Sequence, residues 1–111
     1  MPFTKVAKLS DVPPGTMCAV GPLKAYLAIA NVDGQLYCFE SLCTHGQAWL
    51  HDGFLDGYEV TCPAHYGAFD IRTGDATQPP AWVPIRTHEV RVSGEDIEVD
   101  FDEPPFSQQS L

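Results

Sequence analysis

A chain of 111 residues has room for one domain, and an apolar content of 44% is enough for a small core. Fifteen Asp and Glu against six Lys and Arg leave a formal charge of −9, the wrong sign for gripping nucleic-acid phosphates or docking on anionic membranes. The same charge favours basic protein partners met in electrostatically steered, short-lived encounters. The longest apolar run, 25–30, is far short of the roughly 20 residues of a membrane span. The N-terminal Met1-Pro2-Phe3-Thr4-Lys5 lacks the basic-then-apolar layout of a secretory signal, so a soluble, cytoplasmic protein is expected.

In chain order, a strand is expected over 3–8, broken by Ser10-Asp11-Val12-Pro13-Pro14-Gly15, and a second over 16–20, ended by Gly21-Pro22. Segments 24–32 and 35–40 flank Asp33-Gly34, a strong signal for a tight hairpin. The stretch 41–82 differs in character. It is rich in Gly, His, Asp and aromatic residues, with strands expected only at 58–61 and 68–71. Loops that long in a compact domain usually carry function. Beyond it, apolar Val90, Val92, Ile97, Val99 and Phe101 alternate with polar Glu89, Arg91, Glu98 and Asp100 around a Ser93-Gly94-Glu95-Asp96 turn. That is the pattern of two strands, 87–92 and 97–101, in a sheet with one wet face. Helical periodicity is weak throughout. The expectation is an all-β chain forming one domain over 1–103, with its chemistry in a lobe at about 41–82 and a tail at 104–111.

Four cysteines fall into two kinds. Cys18 and Cys38 lie in strand-like apolar runs and read as small buried hydrophobes. Cys43 and Cys62 each stand beside a histidine, in Cys43-Thr44-His45 and Cys62-Pro63-Ala64-His65, separated by sixteen residues. In a reducing compartment such pairs read as metal ligands rather than disulfides. Two thiolates and two imidazoles make a complete four-ligand set, and three readings compete. Chance proximity explains the matched spacing poorly. A structural zinc site has the right composition, but zinc spacings pair Cys with Cys and His with His. A [2Fe–2S] cluster, with both thiolates on one iron and both imidazoles on the other, uses one Cys and one His from each loop.

At this point the sequence resembles the Rieske family. The motif is Cys-x-His followed by Cys-x-x-His, and the flanks agree: Leu42-Cys43-Thr44-His45-Gly46, then Cys62-Pro63-Ala64-His65-Tyr66-Gly67-Ala68-Phe69-Asp70 and Thr73-Gly74. It is most similar to the small Rieske ferredoxins of bacterial aromatic-ring-hydroxylating dioxygenase systems. The resemblance implies the Rieske fold, stacked antiparallel sheets with a small cluster-binding lobe made of two loops. It implies one [2Fe–2S] cluster held by Cys43, His45, Cys62 and His65, with Gln78-Pro79-Pro80-Ala81-Trp82 covering it from a third side. It also implies a non-enzymatic electron carrier, passing electrons from an NAD(P)H-dependent flavoprotein ferredoxin reductase to a terminal Rieske non-haem iron oxygenase, with a monomer expected. Respiratory members add a Cys to each loop, joined as a disulfide, and place Ser and Tyr hydroxyls near the cluster. The matching residues here are Ala48, Ala64, Gly67 and Phe69, so a low reduction potential is expected.

Other features read more plainly. His88 is expected at the surface and His51 in solvent, while Trp49, Tyr66 and Trp82 are expected to shield the cluster. Asp52, Asp56 and Asp75 are expected to solvate a face. Gly-rich phosphate loops are absent, so any flavin or nicotinamide belongs to a partner. The alternatives are the Rieske component of a di-iron monooxygenase system, a zinc-binding interaction module, and a small subunit of a larger reductase.

Overall fold

The computed structural model describes residues 3–20, 27–43, 48–64 and 66–100. Among the described residues, eleven strands form three antiparallel sheets and there is no α-helix. Sheet one orders β1 (Phe3–Lys8), β11 (Asp96–Asp100) and β10 (Val90–Ser93). Sheet two orders β2 (Met17–Val20), β3 (Leu27–Val32), β4 (Gln35–Glu40) and β9 (Thr87–His88). Sheet three, the lobe, orders β5 (Phe54–Asp56), β6 (Glu59–Thr61), β7 (Ala68–Asp70) and β8 (Ala76–Gln78).

Strand β3 explains how the sheets stack. It is buried along its whole length because both of its faces are covered. Leu27 and Ile29 join Val12, Val20, Cys38, Ile97 and Val99 in a core toward sheet one. Ala28, Ala30 and Val32 join Phe39, Val60, Phe69 and Ile71 in a second core toward the lobe. Period-2 alternation therefore sends large residues to one side and mostly small ones to the other. The β3–β4 turn has Asp33 at φ 55° and Gly34 at φ 93°, as a tight hairpin of this hand requires. Buried Asn31 secures it, accepting from the Gly34 N–H at 2.8 Å and donating to the Val12 carbonyl at 2.8 Å.

Two expectations about strands are corrected. The segment expected as one strand over 87–92 serves two sheets: His88 pairs with Cys38 on β4, whereas Val90 pairs with Val99 on β11. Between them the Glu89 carbonyl accepts the Asp100 N–H at 3.0 Å. Alternation marks extended backbone and does not reveal a change of neighbour. Strands β5 and β8 were not expected at all, yet they complete the lobe sheet. Residues 24–26, Phe101 and the tail 104–111 lie outside the described residues. Among the described residues, no helix is long and apolar enough to cross a membrane.

A polar staple ties the lobe to sheet two. The Asp70 carboxylate accepts from Arg72 Nε and Nη2 at 3.1 and 2.9 Å and from the Arg72 N–H at 2.8 Å. The guanidinium lies 4.2 Å over the Tyr58 ring, which meets Tyr37 of β4 edge-on at 5.8 Å. Hydrogen bonding to Arg72 holds the Asp70 carboxyl below the usual carboxylate range. A lowered folded-state pKa means stability that is present above the unfolded value of about 3.9 and lost as pH falls through the folded value. Arg72→Ala is therefore expected to be less stable than the native chain at pH 7, with the gap narrowing below about pH 4. Urea midpoints at pH 7 and pH 3 check this, and a constant gap contradicts it.

Candidate metal centre

Cys43 and Cys62 sit on two loops built alike. The first continues the β4 hairpin: the Leu50 N–H donates to the Ser41 carbonyl, Leu42 bridges to Trp49, and the Cys43 N–H donates to the Ala48 carbonyl at 2.9 Å. The second leaves β6, and the Cys62 N–H donates to the Gly67 carbonyl at 2.7 Å while the Tyr66 N–H returns to the Cys62 carbonyl. Each cysteine amide thus closes on the carbonyl five residues later, 43 to 48 and 62 to 67. Local turn bonds of this kind let a loop hold one ligand at a set position without a helix or a long strand.

Neither cysteine is in a disulfide; they are 2% and 1% exposed, and both belong to the apolar cluster that includes Leu50, Val60, Phe69 and Ala81. His45 and His65 lie outside the described residues. Cys38 is also buried, but in the opposite core, and burial pushes its thiol pKa up, as a structural cysteine's should be. Cys18 is half-buried against that same core. The sequence reading of these two as hydrophobes agrees with their places.

The surroundings of the buried pair fit an iron–sulfur cluster. Two buried thiols within one apolar cluster supply the soft donors an iron–sulfur cluster takes. The proline segment closes on the second loop: a Cβ at Gly67 would lie 3.0 Å from the Ala81 Cβ and 3.1 Å from its backbone nitrogen. Any side chain at 67 would crowd that approach. Phe69 is fully buried in the same cluster and brings no hydroxyl.

Several expectations about neighbouring side chains change. Tyr66 is 65% exposed and Trp82 is 79% exposed, whereas Trp49 is half-buried. Tyr66 holds φ 64°, a strained setting for a bulky residue. His88 is no surface residue: its side chain is 9% exposed, with Nε2 3.1 Å from Glu40 Oε2. His51 is not solvated either, since Nδ1 lies 2.6 Å from the Ser41 hydroxyl. The Ser41–His51 pair escaped the sequence reading because its members are ten residues apart and fit no motif. Asp52, Asp56 and Asp75 are exposed, as expected.

The chain matches the Rieske [2Fe–2S] domain family over residues 3–97. It is 40% identical over 102 residues to the biphenyl dioxygenase ferredoxin subunit of Pseudomonas sp. (strain KKS102), spanning 91% of this chain and 94% of that protein. Among solved structures, the Sphingomonas yanoikuyae B1 ferredoxin superposes with a TM-score of 0.84 at 37% identity, covering 91% of this chain and all of that one (100%). A chain of the complex of reduced oxygenase and oxidized ferredoxin in carbazole 1,9a-dioxygenase gives 0.80 at 41% identity, covering 87% of this chain and 91% of that one. These relatives are named as ferredoxin components rather than as catalysts. The chain belongs to the Rieske [2Fe–2S] domain family, as an electron-carrying ferredoxin with one [2Fe–2S] cluster that is not itself an enzyme.

Proposed function

We propose that Cys43 and Cys62 hold one iron of the cluster and His45 and His65 the other. On this reading the chain is a monomeric cytoplasmic carrier within an aromatic-ring dioxygenase system. It takes electrons from an NAD(P)H-dependent flavoprotein reductase and delivers them to a terminal Rieske non-haem iron oxygenase. The observation that supports this best is the pairing of two buried thiols on loops of matching closure within one apolar cluster. When bound, the cluster supplies reversible one-electron chemistry. The protein's own contribution is to keep water from the thiolates and to fix both loops. Its net charge of −9 suits brief encounters with basic faces on its partners. The test is reconstitution: reduced chain mixed with the oxygenase, reductase and NADH is expected to support single-electron delivery. No reoxidation by the oxygenase would contradict the assignment. Sedimentation at one chain's mass checks the monomer.

Trp82 and Val83, at 79% and 58% exposed, and Tyr66 flank the contact between Gly67 and Ala81. Exposed apolar groups gathered in one patch are the mark of an interaction surface, and Trp is among the residues enriched at the anchor points of such surfaces. Trp82→Ala is expected to raise the apparent KM of the oxygenase for this ferredoxin about tenfold while leaving the visible spectrum unchanged. An unchanged KM places docking elsewhere.

A further inference from the structure

The Ser41 hydroxyl is fully buried at the end of β4, two residues before Cys43. Its partners among the described residues both belong to His51: the backbone N–H at 3.1 Å and the ring Nδ1 at 2.6 Å. The Ser41 carbonyl accepts the Leu50 N–H as well, so residues 50–51 grip residue 41 through both main chain and side chain. The next rungs out are the Leu42–Trp49 bridge and the bond from the Cys43 N–H to Ala48. Cys43 therefore hangs directly above this clamp.

Proton accounting sets the direction of the bonds. The His51 backbone N–H can only donate, so it uses a lone pair of the Ser41 oxygen. The oxygen keeps a second lone pair and one proton, and Nδ1 is the only acceptor for that proton among the described residues, which makes His51 the acceptor and leaves its own ring proton on Nε2. Nε2 lies 3.9 Å from the exposed Asp52 carboxylate, and the ring face stacks on Trp49 with centroids 6.1 Å apart.

We propose that His51 is a positioning residue that, through the buried Ser41 hydroxyl, fixes the loop presenting Cys43 and so governs how firmly the cluster is retained. The proposal rests on the assignment of Cys43 as a ligand. Removing the acceptor strands a hydroxyl that is sealed from solvent, and the base of the loop opens more often.

Two substitutions separate the acceptor from the ring. His51→Phe keeps an aromatic ring against Trp49 but has no acceptor. His51→Asn loses the ring but places Oδ1 where Nδ1 stood. In the holoprotein, the rate of cluster loss to a chelator, followed by visible absorbance, is expected to rise about tenfold in His51→Phe and to stay within about twofold of native in His51→Asn. The reverse order overturns the proposal in favour of ring packing. Ser41→Ala is expected to match His51→Phe, and the double variant to be no worse than either single one. Additive effects contradict a shared bond. Hydrogen exchange at the Leu50 and Cys43 amides reads the clamp independently of the ligand assignment, with faster exchange expected in His51→Phe and no change at Ile97 and Val99. Unchanged exchange at Leu50 and Cys43 overturns the clamp itself. Faster exchange there with native cluster retention overturns the placing of Cys43 on the cluster.

Discussion

Replacing His45 or His65 by Ala is expected to remove the cluster altogether, not merely to slow electron transfer. On the proposed ligand set each loop supplies one thiolate and one imidazole, so losing an imidazole would leave an iron with an open position at the end of a loop. The two remaining protein ligands on the other iron, from residues 43 and 62, then anchor only half of the group. Purified His45→Ala and His65→Ala are expected to be colourless, with iron and sulfide lost together. Their sheets should persist, because both cores are built from other residues, with Leu27, Ile29, Phe39, Phe69 and Ile97 fully buried or nearly so. Far-ultraviolet circular dichroism at native strength, together with absent visible bands, is the expected pair of results. An intact Rieske spectrum in either variant would contradict the ligand set.

The reduction potential is the second large expected effect. Hydrogen bonds donated to cluster sulfurs stabilise the more negative, reduced state, and their absence lowers the potential. Phe69 is fully buried in the cluster of side chains that contains Cys43 and Cys62, and it carries no donor. Gly67 has none either. A potential near the low end of the Rieske range, roughly −150 mV, is expected, and a redox titration above about 0 mV would contradict it. Phe69→Tyr is the cleaner way to add a donor back, since a Cβ at residue 67 would press on Ala81 at 3.0 Å and shift the proline segment as well. If the new hydroxyl reaches a sulfur and its bond strengthens by ~1 kcal/mol on reduction, the potential rises by on the order of 50 mV. A fall in potential in Phe69→Tyr would overturn the donor account.

How much was legible beforehand depended on the range of the interaction. Asp33-Gly34 and Ser93-Gly94-Glu95-Asp96 marked their hairpins because turn geometry is decided within four residues. Strand β1 appeared at its full extent from alternation alone. The Rieske family was legible because its cluster motif sets soft and nitrogen donors at fixed spacing, Cys-x-His and Cys-x-x-His. What stayed hidden was set by distant neighbours. Glu89, where one extended segment passes from sheet two to sheet one, carries no local mark. Strands β5 and β8 are three residues each and too short for alternation to register, although Gly57, at φ 61° and first in the two-residue turn before β6, is itself a hairpin signal. The partners of Ser41 and His88, ten and forty-eight residues away, are properties of the fold alone. Tyr66 and Trp82 are exposed although large aromatic residues are buried by default, a placing set by the loops that carry them.

The most direct test of the electron-carrier account is electron paramagnetic resonance of the purified protein, oxidised and then dithionite-reduced, with iron and acid-labile sulfide measured on the same sample. A coloured oxidised form, two iron and two sulfide per chain, and a reduced signal with nitrogen couplings from two imidazoles are the predicted result. A colourless, silent protein holding a single zinc ion and no sulfide would contradict it.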